Sequence, residues 1–262
     1  MARVVLAAAL AVHAAGVVLA AFGEIKARAT VAQQGAVVLA AAWAGQLAAL
    51  ILFGISASAV PLRSGPEYLF VLGWLVLTLH LVLWFRMRVK ATALVLPPVA
   101  GAMMLAAYLL SVGAPRATAL DTRGWFVFHT AIATAGVAAL AVSFAMSVLF
   151  LVKEHALKSK RSLRVLERLP ALEALDRLGF QSLLYGFPLL TLGIVTGMAY
   201  SAAEHDRVLI WGVKEVFPLI AWVVFAGILW ARLASGTRGK QSAILAIAGF
   251  AFALLTFVGM VR

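Results

Sequence analysis

The chain contains no cysteine. That excludes disulfides, thiolate metal sites, thiol nucleophiles and covalent attachment of haem to the chain itself. Charge is scarce too: Asp, Glu, Lys and Arg make up 12% of the 262 residues, against roughly 25% in soluble domains. Acidic residues are scarcer still, 10 against 22 basic ones. Gly-x-Ser-x-Gly, His-Glu-x-x-His and phosphate-binding glycine loops are all missing, which removes the usual hydrolase and nucleotide-enzyme readings.

What is abundant is apolar surface, 64% of residues. A soluble fold of this length has no interior for so much of it, whereas lipid does. Stretches free of Asp, Glu, Lys and Arg predict eight spanning helices, at about 4–23, 31–60, 68–85, 91–112, 125–152, 180–202, 208–231 and 241–261. The seventh holds Lys214 and Glu215 near its start. The predicted fold class is an all-α polytopic membrane bundle, one membrane domain over 1–262. The first run is followed by more positive charge than precedes it and is long enough to span, so a retained helix is expected rather than a signal peptide.

The net charge of +12 would suggest nucleic acid in a soluble protein. Here the basic residues fall between apolar runs, where they set orientation and meet anionic headgroups, so the expected partner is the lipid bilayer and not nucleic acid. Loops after odd-numbered helices hold 15 Lys and Arg, with the densest run from Lys153 to Arg177; the opposite side holds 6. Odd loops are therefore expected in the cytoplasm and both termini outside. Within the cytoplasmic connector, about 154–178, leucines recur at 169, 172, 175 and 178. That spacing predicts a short amphipathic helix on the inner membrane surface, a connector or a docking site for a cytoplasmic partner.

Prolines 97, 98, 188 and 218 lie in or near apolar runs and are expected to kink them. Gly193 and Gly197 have the spacing that lets two helix backbones approach. Glu215 is the only acid inside a predicted span, which argues against a proton-relay transporter, since those bury several carboxylates.

Histidines are the most informative polar residues. His155 falls in the cytoplasmic loop. His129 lies ~6 Å inside the outer end of the fifth helix, and His205 is in the outer loop after the sixth. His13 and His80 lie deeper, ~14 and ~20 Å from the outer ends of their helices. Depth thus permits His129 with His205, or His13 with His80, on one haem iron. The alternative for each is a packed residue that hydrogen-bonds a neighbour. Trp125 and Trp211 sit near outer helix ends, either as an interfacial belt or stacked on a flat cofactor, and Trp125 shares a helix face with His129.

The stretches Lys158-Ser159-Lys160, Arg168-Leu169-Pro170-Ala171-Leu172-Glu173-Ala174-Leu175-Asp176-Arg177-Leu178 and Gly186-Phe187-Pro188-Leu189-Leu190-Thr191-Leu192-Gly193 resemble the cytochrome c assembly family, the CcsA/ResC and HemX-like group. Weaker similarity runs from about Glu67 and Trp74 to Gly259. The resemblance implies eight helices and haem held at the outer face by histidines and a tryptophan-rich segment ending in Trp-Asp-Pro-Lys-Glu. The corresponding residues here are Trp211-Gly212-Val213-Lys214-Glu215, so Asp-Pro is replaced by Gly212-Val213. Trp230 stands where the family often has an inner histidine, and His129 matches the first outer one.

The resemblance implies a non-enzymatic accessory protein of cytochrome c biogenesis in the bacterial inner membrane, handling haem b non-covalently. His129 is the iron ligand the resemblance implies, and depth makes His205 the candidate for the second. Trp125 and Trp211 would flank the porphyrin, and Lys214 would pair with a propionate. Implied partners are haem and other cytochrome c biogenesis membrane proteins. Two alternatives stand beside this reading: a HemX-like regulator contacting a cytoplasmic haem-synthesis enzyme, and a small-molecule transporter.

Overall fold

The computed structural model describes residues 2–57, 64–111, 124–159, 169–205 and 212–258. Among these the chain is all helix: α1 (Ala2–Ile25), α2 (Ala29–Ala57), α3 (Gly65–Phe85), a 3-10 turn (Lys90–Leu94), α4 (Leu96–Leu110), α5 (Gly124–Lys158), α6 (Leu172–His205), α7 (Val213–Ser235) and α8 (Lys240–Val258). Seven segments are long and apolar enough to cross a membrane, and α8 is a shorter apolar helix. The protein is a multi-pass membrane protein with an all-α fold.

Helix starts follow local chemistry. Ser64 caps α3 through its hydroxyl, which accepts from the Glu67 amide, and a proline follows in the first turn. Pro97 and Pro98 do not kink a fourth span, as expected from sequence. They occupy the first turn of α4, where a missing N–H costs nothing, and the five residues from Lys90 form a separate 3-10 turn. Pro188 and Pro218 do lie inside α6 and α7. Gly236, with φ of +66°, ends α7 in the left-handed conformation that only glycine adopts cheaply.

The helices pack as successive antiparallel neighbours, with α1 on α2, α3 on α4, α5 on α6 and α7 on α8. The centre is α5, which also meets α3 and α8. Glycines set the closest approaches. A Cβ at Gly136 of α5 would lie 2.7 Å from the Leu190 amide nitrogen of α6, and one at Gly193 would lie 2.9 Å from Ala133 Cα. The small-residue spacing therefore serves backbone contact, where dispersion replaces the hydrophobic drive that lipid cannot supply.

The leucine-striped connector is resolved differently from its prediction. Leu172, Leu175 and Leu178 are not on a separate surface helix but in the opening turns of α6, with Leu175 fully buried. Leu169, just before, is buried as well, and the Lys153 ammonium donates to the carbonyls of Leu169 and Pro170 at 2.7 and 2.8 Å. Near the same end the Arg232 guanidinium of α7 pairs with both oxygens of Asp176 on α6 at 2.9 and 2.7 Å and lies 4.0 Å over the Phe180 ring. The apolar stripe has turned inward because these polar contacts hold the start of α6 against α5 and α7.

Candidate functional site

The site named by sequence sits where α5 begins and α6 ends. His129 is one turn inside α5 and half-buried, and its Nδ1 is 3.1 Å from the Thr196 hydroxyl of α6. Gly197 makes room for the ring: a Cβ there would lie 2.7 Å from His129 Cε1 and 3.3 Å from Nε2. Below the ring, Thr130 and Thr134 return their hydroxyls to the carbonyls of Phe126 and Thr130, so no bare hydroxyl competes for it. Phe126 lies between Tyr200 of α6, at a ring separation of 5.3 Å, and Tyr68 of α3, at 6.5 Å. Three helices thus converge on an aromatic cluster beside His129.

Trp125 is exposed and its ring lies 6.0 Å from Phe128, so it points to the bundle's outside rather than onto His129. His205 is the last residue of α6 and Lys214 the second of α7, which places both backbones at the His129 end; their side chains, and Trp211 entirely, lie outside the described residues. Glu215 does not interrupt a span. It lies in the first turn of α7, where a carboxylate meets the positive end of the helix, and its Oε2 lies 2.6 Å from where a Gly212 Cβ would stand.

Both ring nitrogens of His13 are taken by protein partners, which leaves none for a shared iron with His80. His13 Nε2 donates to the Pro97 carbonyl at 2.9 Å, and its Nδ1 accepts from Gln46 at 3.2 Å. His80 Nδ1 is 3.0 Å from the Thr92 hydroxyl. Both rings are buried and serve the packing of α1, α2, α3 and the 3-10 turn. Among the described residues no group of three or more His, Asp and Glu side chains is placed to hold a metal ion. Trp222 donates to the Thr191 hydroxyl at 2.9 Å and stacks on Phe187. A small cleft lies at the opposite end of the bundle against Ser147, Asp176, Phe180 and Arg232.

Sequence reasoning did not single out Thr196, Tyr200, Tyr68 or Phe126. The signal was present in part: Thr196 lies three after Gly193 and four before Tyr200, and Gly197 four after Gly193 and three before Tyr200, so they border one face of α6.

Comparison with known proteins agrees with the resemblance. The family model described as "Cytochrome C assembly protein" matches residues 6–261. A cytochrome c biogenesis protein CcsA from Microcystis aeruginosa is 27% identical over 255 residues, covering 79% of this chain and 77% of that protein. The CcsA of Gloeothece citriformis is 28% identical over the same length and the same shares. That of Trichodesmium erythraeum reaches 38% over 94 residues, 36% of this chain and 27% of its own. With nearly its whole length matched, and with membrane-length helices in succession, the chain belongs to the cytochrome c assembly protein family.

Proposed function

We propose that this protein binds haem b non-covalently at the outer mouth of its bundle and presents it during assembly of c-type cytochromes, in the inner membrane of a bacterium. The observation that supports this reading is His129, half-buried near the end of α5 with one ring nitrogen tied to Thr196 and the other ring edge laid over Gly197. Metal-ligating histidines are held in this way, with one nitrogen bonded to a protein group and the other turned to the metal. The residues fit the group on that side. His129 would hold the iron through a ring nitrogen, and Gly197 would leave the ring its clearance. Tyr200, Phe126 and Tyr68 supply an apolar, aromatic wall.

His205, Trp211 and Lys214 complete the proposed site from the chain between α6 and α7. His205 would be the second iron ligand, Trp211 would flank the porphyrin, and Lys214 would pair with a propionate, while Trp125, turned outward against Phe128, takes no part. Haem, when bound, would supply the group to be transferred, and the chain's own residues would hold and orient it. This is a binding and presenting role, not an enzymatic one, and the partners are other membrane proteins of cytochrome c biogenesis.

A HemX-like regulatory role would need a docking surface for a soluble partner along 158–178. The described part of that stretch turns its leucines into the bundle, with Leu169 and Leu175 buried. That favours the assembly reading.

The test is the visible spectrum of the protein purified in detergent after haem-replete expression, alongside His129→Ala. A Soret band in the wild type that is lost or shifted in the variant is expected. Haem-free wild type, or an unchanged spectrum in His129→Ala, rejects the site.

A further inference from the structure

Among the described residues three histidines are buried or half-buried, and each has a ring nitrogen within hydrogen-bond reach of a partner on another element. At His13 the partner of Nε2 is a carbonyl, which only accepts, so Nε2 donates and Nδ1 accepts from Gln46. His129 is held in the reverse sense. The Thr196 hydroxyl is 2.7 Å from the Leu192 carbonyl and 3.1 Å from that of Gly193, both on its own helix. A hydroxyl has one hydrogen, and here it is committed to the shorter of these bonds. Toward His129, 3.1 Å away, the oxygen then accepts, so the hydrogen between them belongs to Nδ1.

We propose that Thr196 is a positioning residue that fixes His129 as the Nδ1–H tautomer and keeps the Nε2 lone pair for a ligand. Gly197 acts with it. Its bare Cα lets the imidazole edge, Cε1 and Nε2, lie against the α6 backbone, a place that any larger side chain would fill. Thr196 is itself buried, so its hydroxyl has little water to turn to and the bond to the helix carbonyl persists. The same arrangement recurs at His80, where the Thr92 hydroxyl donates to the Val89 carbonyl at 2.8 Å and accepts from Nδ1. His80 is wholly enclosed and lies in the other half of the bundle. What distinguishes His129 is that its ring is only half-buried and stands near the start of α5.

The functional side of this inference rests on the haem reading; the tautomer itself does not. The full chain, labelled with ¹⁵N-histidine and kept haem-free in detergent, is examined by ¹⁵N NMR, with His129→Ala assigning the signal. Wild-type protein is expected to show a protonated Nδ1 and an unprotonated Nε2 at His129. Thr196→Val, nearly the same shape, is expected to lose that preference, and Thr196→Ser to restore it. An Nε2–H tautomer in the wild type, or no change in Thr196→Val, overturns the proposal, and the wild-type spectrum decides even if the valine variant fails to fold. With haem added, Thr196→Val is expected to bind about 10–100-fold more weakly, the usual effect of removing a histidine's supporting bond, while Thr196→Ser stays near wild type. If no form takes up haem but the tautomer follows Thr196, the haem reading has failed and the positioning assignment stands.

Discussion

The ion pair between α6 and α7 gives the sharpest energetic expectation. Arg232 reaches Asp176 with two nitrogens, at 2.9 and 2.7 Å, while its plane covers Phe180 at 4.0 Å. The Gly239 amide adds a third bond to the carboxylate at 3.3 Å. The side chains are only 11% and 14% exposed. Removing one partner of a buried pair typically costs 3–5 kcal/mol, because a charge is left without compensation. The residual exposure puts Arg232→Ala at the lower end, ~3 kcal/mol. Asp176→Ala is expected to cost less, ~1–2 kcal/mol, since the freed guanidinium keeps its stacking on Phe180 and extends toward the headgroups. If the two groups act mainly on each other, the double variant costs little more than Arg232→Ala alone, a coupling of ~1–2 kcal/mol. Reversible unfolding in mixed detergent micelles, run on all four proteins, measures this. Single costs that add to within ~0.5 kcal/mol would refute the reasoning.

Other substitutions test other contacts. Gly193→Leu forces α5 and α6 apart at Ala133 and is expected to lower the midpoint of thermal unfolding in detergent far more than Gly227→Leu, whose Cβ direction is open. Lys153→Met strips the donor from the Leu169 and Pro170 carbonyls and should cost about 1–3 kcal/mol in the same unfolding assay, with Lys153→Arg recovering part. Gln46→Leu leaves His13 Nδ1 without its donor and should destabilise by about 1–3 kcal/mol. Both variants discard an unpartnered buried acceptor, Gln46 Oε1 or His80 Nε2, but His80→Leu leaves Thr92 bonded to the Val89 carbonyl, so it should cost less; the reverse order would show that His80 Nε2 has a strong partner.

The fold was legible because its main determinant is composition. Lengths of uncharged chain mark the helices, and α1, α2, α3 and α5 begin or end within a few residues of the apolar runs. Misreadings arose where a residue type has two uses. Pro97 and Pro98 break a helix interior but also begin one, and only the 3-10 turn ahead of them decides which. The leucines of 169–178 make an apolar stripe that suits a membrane surface or a bundle interior equally well. The choice is made by Lys153 and by the Arg232–Asp176 pair, contacts between residues 16 to 56 positions apart.

At the site, depth along α5 was enough to place His129 near an open end, and helical periodicity placed Trp125 beside it in sequence. It did not show that Trp125 turns outward to Phe128. Thr196 was invisible because a lone threonine in an apolar helix usually bonds only its own carbonyls. Its role depends on α6 lying across from α5 at the height of His129, which the glycines at 136, 193 and 197 make geometrically open but do not announce.

Everything at the outer mouth depends on which side of the bilayer His129 occupies. Because the chain has no cysteine, single ones can be added without background. Trp125 and Ser159, both exposed, stand near opposite ends of α5. In intact spheroplasts, a membrane-impermeant maleimide is expected to label Trp125→Cys at once and Ser159→Cys only after permeabilisation. Labelling of Ser159→Cys alone in sealed cells would place His129 on the cytoplasmic side and contradict haem presentation at the outer face.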